Sequence, residues 1–198
     1  MSPLTYLRVI GFLLLSHVAL SAPVVVIDAG HGGHDRGGMP GQIVEEKVYA
    51  LDVAKRLDSA LRKAGYRTVM TRRGDYFVEL DERSAIANRY AGNAIFVSIH
   101  FNGASNYDAH GIETYYASGS KSLRLAQSIH YRVLKATGEE DRRVRSRSFS
   151  VLRKTRMPAV LCELGFLTNR DEVRKIKSSS YRQRLADAVA AGIRSIYR

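Results

Sequence analysis

Three apolar runs end at residues able to hold a metal ion or carry a proton, and a fourth such residue opens a helix. The run 24–27 leads into Asp28-Ala29-Gly30-His31-Gly32-Gly33-His34, and the run 94–99 ends at His100-Phe101-Asn102. A third run, 159–162, ends at Glu163, and Glu45-Glu46-Lys47 opens a long helical pattern. Two imidazoles and one carboxylate, with a fourth position open to water, form a common catalytic zinc arrangement. Bound zinc brings the pKa of water toward about 7, so hydroxide forms near neutral pH. A separate carboxylate then takes the proton and passes it to a leaving amine. His31, Glu46 and His100 fit the ligand roles for one Zn2+ per chain, and Glu163 fits the base. No compact H-E-x-x-H motif is present, and Glu45 competes with Glu46, since acids are ordinary in the first turn of a helix. Asp28 is either a partner that orients His31 or a cap on the loop. His34 reads as solvated, and His110 and His130 as structural.

These side chains need a scaffold that brings strand ends together. Apolar runs at 24–28, 66–71, 94–100, 111–116 and 158–164 read as strands. Between them, Val48, Leu51, Ala54, Leu57 and Leu61 recur at helical spacing up to Gly65, a C-terminal stop. Residues 80–90 and 121–137 also read as helices, as does the stripe Leu185, Ala188, Val189, Gly192, Ile193 and Ile196. Strands alternating with helices predict an α/β fold: a single domain whose mostly parallel sheet is flanked by helices on both faces. In such sheets ligands bind outside the carboxyl ends of the strands, where the candidate residues fall.

The chain has 198 residues with 45% hydrophobic and 25% charged, ordinary for one globular domain. Its formal net charge of +12 favours anionic partners without choosing among nucleic acid, lipid and acidic wall polymers. The one cysteine, Cys162, excludes an intrachain disulfide and reads as a small buried hydrophobe. Arg8, the apolar stretch 9–20 and Ala19-Leu20-Ser21-Ala22 have the layout of a signal peptide over 1–21. The domain then runs 22–198 and is expected to be exported, to the periplasm or the cell exterior, with no stable membrane insertion after cleavage. Export argues against a nucleic-acid partner.

Several strings occur in order: Val26-Ile27-Asp28-Ala29-Gly30-His31-Gly32-Gly33, Glu46-Lys47, Thr71-Arg72, Ser98-Ile99-His100-Phe101-Asn102, Gly111-Ile112-Glu113-Thr114-Tyr115-Tyr116 and Glu163-Leu164-Gly165-Phe166-Leu167-Thr168-Asn169. Together they resemble the zinc-dependent N-acetylmuramoyl-L-alanine amidases of the amidase 3 type, over nearly the whole of 24–197. The resemblance implies a six-stranded sheet, zinc on His31, Glu46 and His100, and Glu163 as the catalytic glutamate. It selects Glu46 over Glu45, because the family's glutamate directly precedes a lysine. The implied reaction is hydrolysis of the amide between N-acetylmuramic acid and L-alanine of peptidoglycan. A zinc peptidase cutting within the stem peptide and a non-catalytic wall-binding module are the alternatives.

Two positions depart from the family's usual pattern: Ala29 replaces a proline, and Phe101 replaces an alanine. Phe101 is expected near the metal, narrowing the cleft or stacking on a sugar ring. Asn102 is a candidate substrate contact. So are Arg147 and Arg153, from a segment with seven basic residues between Arg142 and Arg156, which in this family lies beside the cleft; they would meet carboxylates of the stem peptide. Only Ala117-Ser118-Gly119 separate Tyr116 from the next helix. The helix-bearing insertion that blocks zinc in some cell-division amidases is therefore expected to be absent. A monomeric catalytic domain without wall-binding repeats is expected, with any protein activator unidentified.

Overall fold

The apolar runs and one charged run pair into a six-stranded sheet. The computed structural model describes residues 22–197, so the expected leader at 1–21 lies outside the described residues. The strands are β1 (Val24–Ala29), β2 (Thr68–Met70), β3 (Ala94–Asn102), β4 (Ile112–Tyr116), β5 (Asp141–Ser146) and β6 (Ala159–Phe166). Their order across the sheet is β2-β1-β3-β6-β4-β5. All neighbours are parallel except β4 and β6, which run antiparallel. The fold is the expected single-domain α/β sheet with helices α1 (Glu46–Lys63), α2 (Leu80–Asn88), α3 (Ser120–Thr137), α4 (Ser150–Lys154), α5 (Arg170–Lys177) and α6 (Ser179–Ile196).

Side-chain alternation along the strands divides the core in two. Val25, Ile27, Ile95, Val97, Ile99, Val160, Cys162 and Leu164 pack with the long helices α1, α3 and α6. The opposite face offers Val26, Phe96, Ala159 and Leu161 to Ala87 of α2 and to Val151 and Leu152 of α4. Those helices have only 9 and 5 residues. Continuing the period of two places Asp28, Ser98, His100 and Glu163 on this second face, toward the carboxyl ends of their strands. There the short helices leave the sheet open. Unequal helix length is thus what makes room for a site.

β5 was not among the strands read from the sequence. Its residues, Asp-Arg-Arg-Val-Arg-Ser, hold one apolar side chain, so no hydrophobic period marks it. It is an edge strand, where charges discourage pairing with another chain, and Arg143, at φ +80°, breaks its register with β4. The cysteine reading agrees with the structure: Cys162 is buried on the helix-covered face, and burial pushes its thiol pKa up. Among the described residues, no helix is long and apolar enough to cross a membrane.

Candidate metal centre

His31, Glu46 and His100 converge from three elements, each offering one ligand atom, with these atoms within 4.8 Å of one another. His31 follows β1, Glu46 is the first residue of α1, and His100 lies in β3. Glu46 is buried and bridges the imidazoles: Oε2 is 3.0 Å from His31 Nε2, and Oε1 is 2.8 Å from His100 Nδ1. The Phe101 backbone N–H also donates to Oε1 at 2.9 Å. Burial opposes the charge of Glu46, but hydrogen bonds from His100 and His31 outweigh it and hold its pKa down to about 2. Glu45 instead faces Arg36 and Lys47.

The His31 loop is held by two buried arginines. Arg72, 0% exposed, donates to the carbonyls of Ala29, Gly30 and Lys47. Arg83, 2% exposed, donates to the carbonyls of Ala29 and His31 and pairs with Asp28 at 2.8 Å. A buried cation supplied with acceptors is tolerable, and here they are carbonyls at the end of β1, in the loop after it and in the first turn of α1, with the Asp28 carboxylate. Lys47 adds a bond to the Gly33 carbonyl and an ion pair with Asp75. Gly30 packs against the His100 ring so closely that a Cβ there would lie 2.4 Å from Cε1.

Asp28 does not orient His31. Its carboxylate is buried and accepts from Thr71, Ser98 and Arg83. The partner at His31 Nδ1 is Asp35, at 2.8 Å. Sequence reading passed over Asp35, although its spacing of four from His31 was visible. Phe101 differs from expectation too. Its ring is 2% exposed and meets Tyr49 edge-on in the larger core, because odd-numbered β3 residues face the long helices. Its contribution to the cluster is its backbone N–H.

Glu163 stands directly across from His100 in the β3–β6 pairing. Beyond that pair β6 carries one extra residue before Asn102 meets Phe166, and Gly165 accommodates the bulge at φ +133°. The Glu163 Oε2 atom is sealed from solvent and has no hydrogen-bond partner among the described residues. Burial, then the nearby charges of Glu46 and Glu113, raise its pKa well above the ordinary carboxylate value. His31, Glu46, His100 and Glu163 line one cavity of about 600 Å³, with Asn102, Phe77, Leu80, Phe149 and Val151 among the other walls.

Asn102 is fixed at this wall: its Nδ2 donates to Glu113 at 2.6 Å and its Oδ1 accepts from Gly103 N–H. Arg147 and Arg153 do not line the cavity. Arg153 borders a smaller one beside Ser118 and Thr155, and both arginines are exposed. His34 is exposed and packs on Phe77, His110 pairs with Glu140, and His130 bridges Thr114 and Asp141, so none of the three enters the cluster.

Two imidazole nitrogens and a carboxylate suit a borderline divalent ion, and the donor set fits zinc with a position left for water. Chemically, with a metal ion bound, the arrangement would pair a Lewis acid with a carboxyl group able to move protons.

A family model described as N-acetylmuramoyl-L-alanine amidase matches residues 25–195. The uncharacterized protein YqiI of Bacillus subtilis (strain 168) is 39% identical over 181 residues, 90% of this chain and 86% of that protein. N-acetylmuramoyl-L-alanine amidase LytC of the same organism is 35% identical over 177 residues; the match covers 88% of this chain but only 35% of LytC. Among solved structures, the catalytic domain of the amidase CwlV from Bacillus (Paenibacillus) polymyxa var. colistinus superposes with a TM-score of 0.82 at 38% identity. That match covers 88% of this chain and 97% of the CwlV domain.

Proposed function

The chain belongs to the N-acetylmuramoyl-L-alanine amidase family, and from that premise we propose that it hydrolyses the amide joining the lactyl group of N-acetylmuramic acid to L-alanine in peptidoglycan. The observation that carries this reading is the convergence of His31, Glu46 and His100 on one cavity with Glu163, whose Oε2 has no partner among the described residues. When bound to the three ligands, zinc supplies the Lewis acidity that activates water and steadies negative charge on the carbonyl oxygen.

Glu163 accepts the proton of the attacking water. Water oxygen adds to the lactyl carbonyl carbon, the carbon–nitrogen bond breaks, and the proton passes from Glu163 to the departing L-alanine nitrogen. A carboxyl group with a raised pKa suits this double duty, since it holds the proton long enough to deliver it. Asn102, anchored by Glu113, contacts substrate from the cavity wall. Arg147 and Arg153, which flank the cavity-lining residues Phe149 and Ser150 in sequence, meet stem-peptide carboxylates that extend beyond the cavity. The enzyme acts as a monomer outside the cytoplasm, after removal of residues 1–21, and its basic charge favours the anionic wall.

Metal analysis of the purified chain and mass spectrometry of digested wall test this reading. One zinc per chain with free glycan strands and intact stems is the expected result. Shortened stems still attached to sugar indicate a peptidase, and wall binding without products indicates a non-catalytic module.

A further inference from the structure

The two imidazoles of the cluster sit in different settings. His100 is held by packing, with the Gly30 backbone flat against its ring. His31 also has a glycine, Gly37, against its ring, but it sits in a loop at φ +59° and is half-buried. Its ring has two ends. Nε2 faces Glu46 inside the cluster, and Nδ1 faces Asp35 Oδ2 at 2.8 Å. An imidazole that offers the Nε2 lone pair to a metal must carry its proton on Nδ1, and that N–H needs an acceptor.

Asp35 is built to be that acceptor. Its backbone exchanges two hydrogen bonds with Gly32, N–H to carbonyl in each direction at 2.9 and 3.1 Å, closing a tight turn directly after His31. Its second carboxylate oxygen, Oδ1, accepts the Gly37 N–H at 2.9 Å. Gly37 in turn lies against His31 and Glu46, where a Cβ would come within 2.7 Å of both side chains. Asp35 is therefore pinned by main-chain contacts on two sides, and the side of its carboxylate left over points at the imidazole.

We propose that Asp35 is a positioning residue that holds His31 as the Nδ1–H tautomer, with Nε2 aimed into the cluster, and so sets how tightly the chain retains its metal. The assignment rests on the zinc reading of the cluster. Removing such an outer partner of a metal-ligating histidine weakens metal affinity by about 10–100-fold.

The test compares the full chain with Asp35→Asn and Asp35→Ala, using zinc competition against a chromophoric chelator. Asn matches the shape of Asp, keeps an acceptor for Gly37 and lacks the charge. The expected result is zinc affinity about tenfold weaker for Asn and up to about 100-fold weaker for Ala, with the His31 Nδ1–H proton resonance lost in the Ala variant. Thermal melts of the metal-free proteins separate this from a purely structural role. If Asp35 only shapes the turn, the metal-free variants melt lower while zinc affinity per folded chain is unchanged, and the proposal is overturned. A parent chain that takes up no zinc overturns the reading of the cluster, and the proposal with it.

Discussion

Glu113 and Glu163 stand directly opposite each other on antiparallel β4 and β6, yet only one is satisfied. Glu113 accepts from Asn102 Nδ2 at 2.6 Å and from Tyr115 OH at 2.8 Å, with Arg142 and Arg145 within 4.0 Å. Glu163 Oε2 has no hydrogen-bond partner among the described residues. Like charges directly across a sheet repel, and burial first, then Glu46 and Glu113, push the proton affinity of Glu163 up. Glu113→Gln removes that push and lowers the Glu163 pKa. The acid limb of the kcat/KM profile should move to lower pH; a limb that stays in place shows that the pair does not set it.

Replacing Glu163 itself separates binding from chemistry. Glu163→Gln leaves His31, Glu46 and His100 untouched, so zinc content should equal that of the parent. Turnover on muropeptides should drop by about 10²–10⁴-fold, the usual contribution of a positioned proton carrier. Near-normal turnover would falsify the assigned role.

Asp28 and Arg83 form a buried pair under the His31 loop. Burial opposes the Asp28 charge, but Arg83, Ser98 and Thr71 overcome it and depress the pKa below the ordinary value of 3.8. The stability this pair contributes is complete above that ordinary value and is lost as pH falls through the depressed one. Asp28→Asn leaves Arg83 buried without its counter-charge and should cost about 3–5 kcal/mol at pH 7. Urea titrations should show the gap to the parent closing only below about pH 4.

Gly30 is constrained by the His100 ring rather than by its own backbone angle. A methyl at this position would approach the ring to 2.4 Å. Gly30→Ala should destabilise the fold by about 1–3 kcal/mol and displace His100 from the cluster. Circular dichroism close to the parent's, together with reduced zinc uptake, is the expected pair of observations. Full zinc uptake in a folded variant would mean that the ring has room to move.

Arg147 and Arg153 lie outside the cavity wall, so contact with the stem peptide would change binding more than chemistry. Arg147→Ala and Arg153→Ala should raise KM with kcat unchanged. If neither parameter changes with full-length stems, the role is lost.

Hydrophobic period and residue type reached a long way in this protein. Five of the six strands follow from apolar runs, because a strand buried on both faces can hold little else. The ligand-type residues follow from strand ends, because a parallel sheet gathers its carboxyl termini in one place. β5 escaped because an edge strand of arginines buries too little to leave a pattern. Which acid orients His31 was equally hidden. Asp28 and Asp35 flank it three and four residues away, and only the closed turn at Gly32, with Arg83 claiming Asp28, decides between them. Phe101 went inward for a similar reason: strand parity sets the side of a ring, and parity is known only once the register with β1 and β6 is. The metal-ligand types at the strand ends could be read from residue order. Which atoms face one another was settled by packing, since a contact between Glu113 and Glu163, 50 positions apart, exists only when β4 turns back along β6.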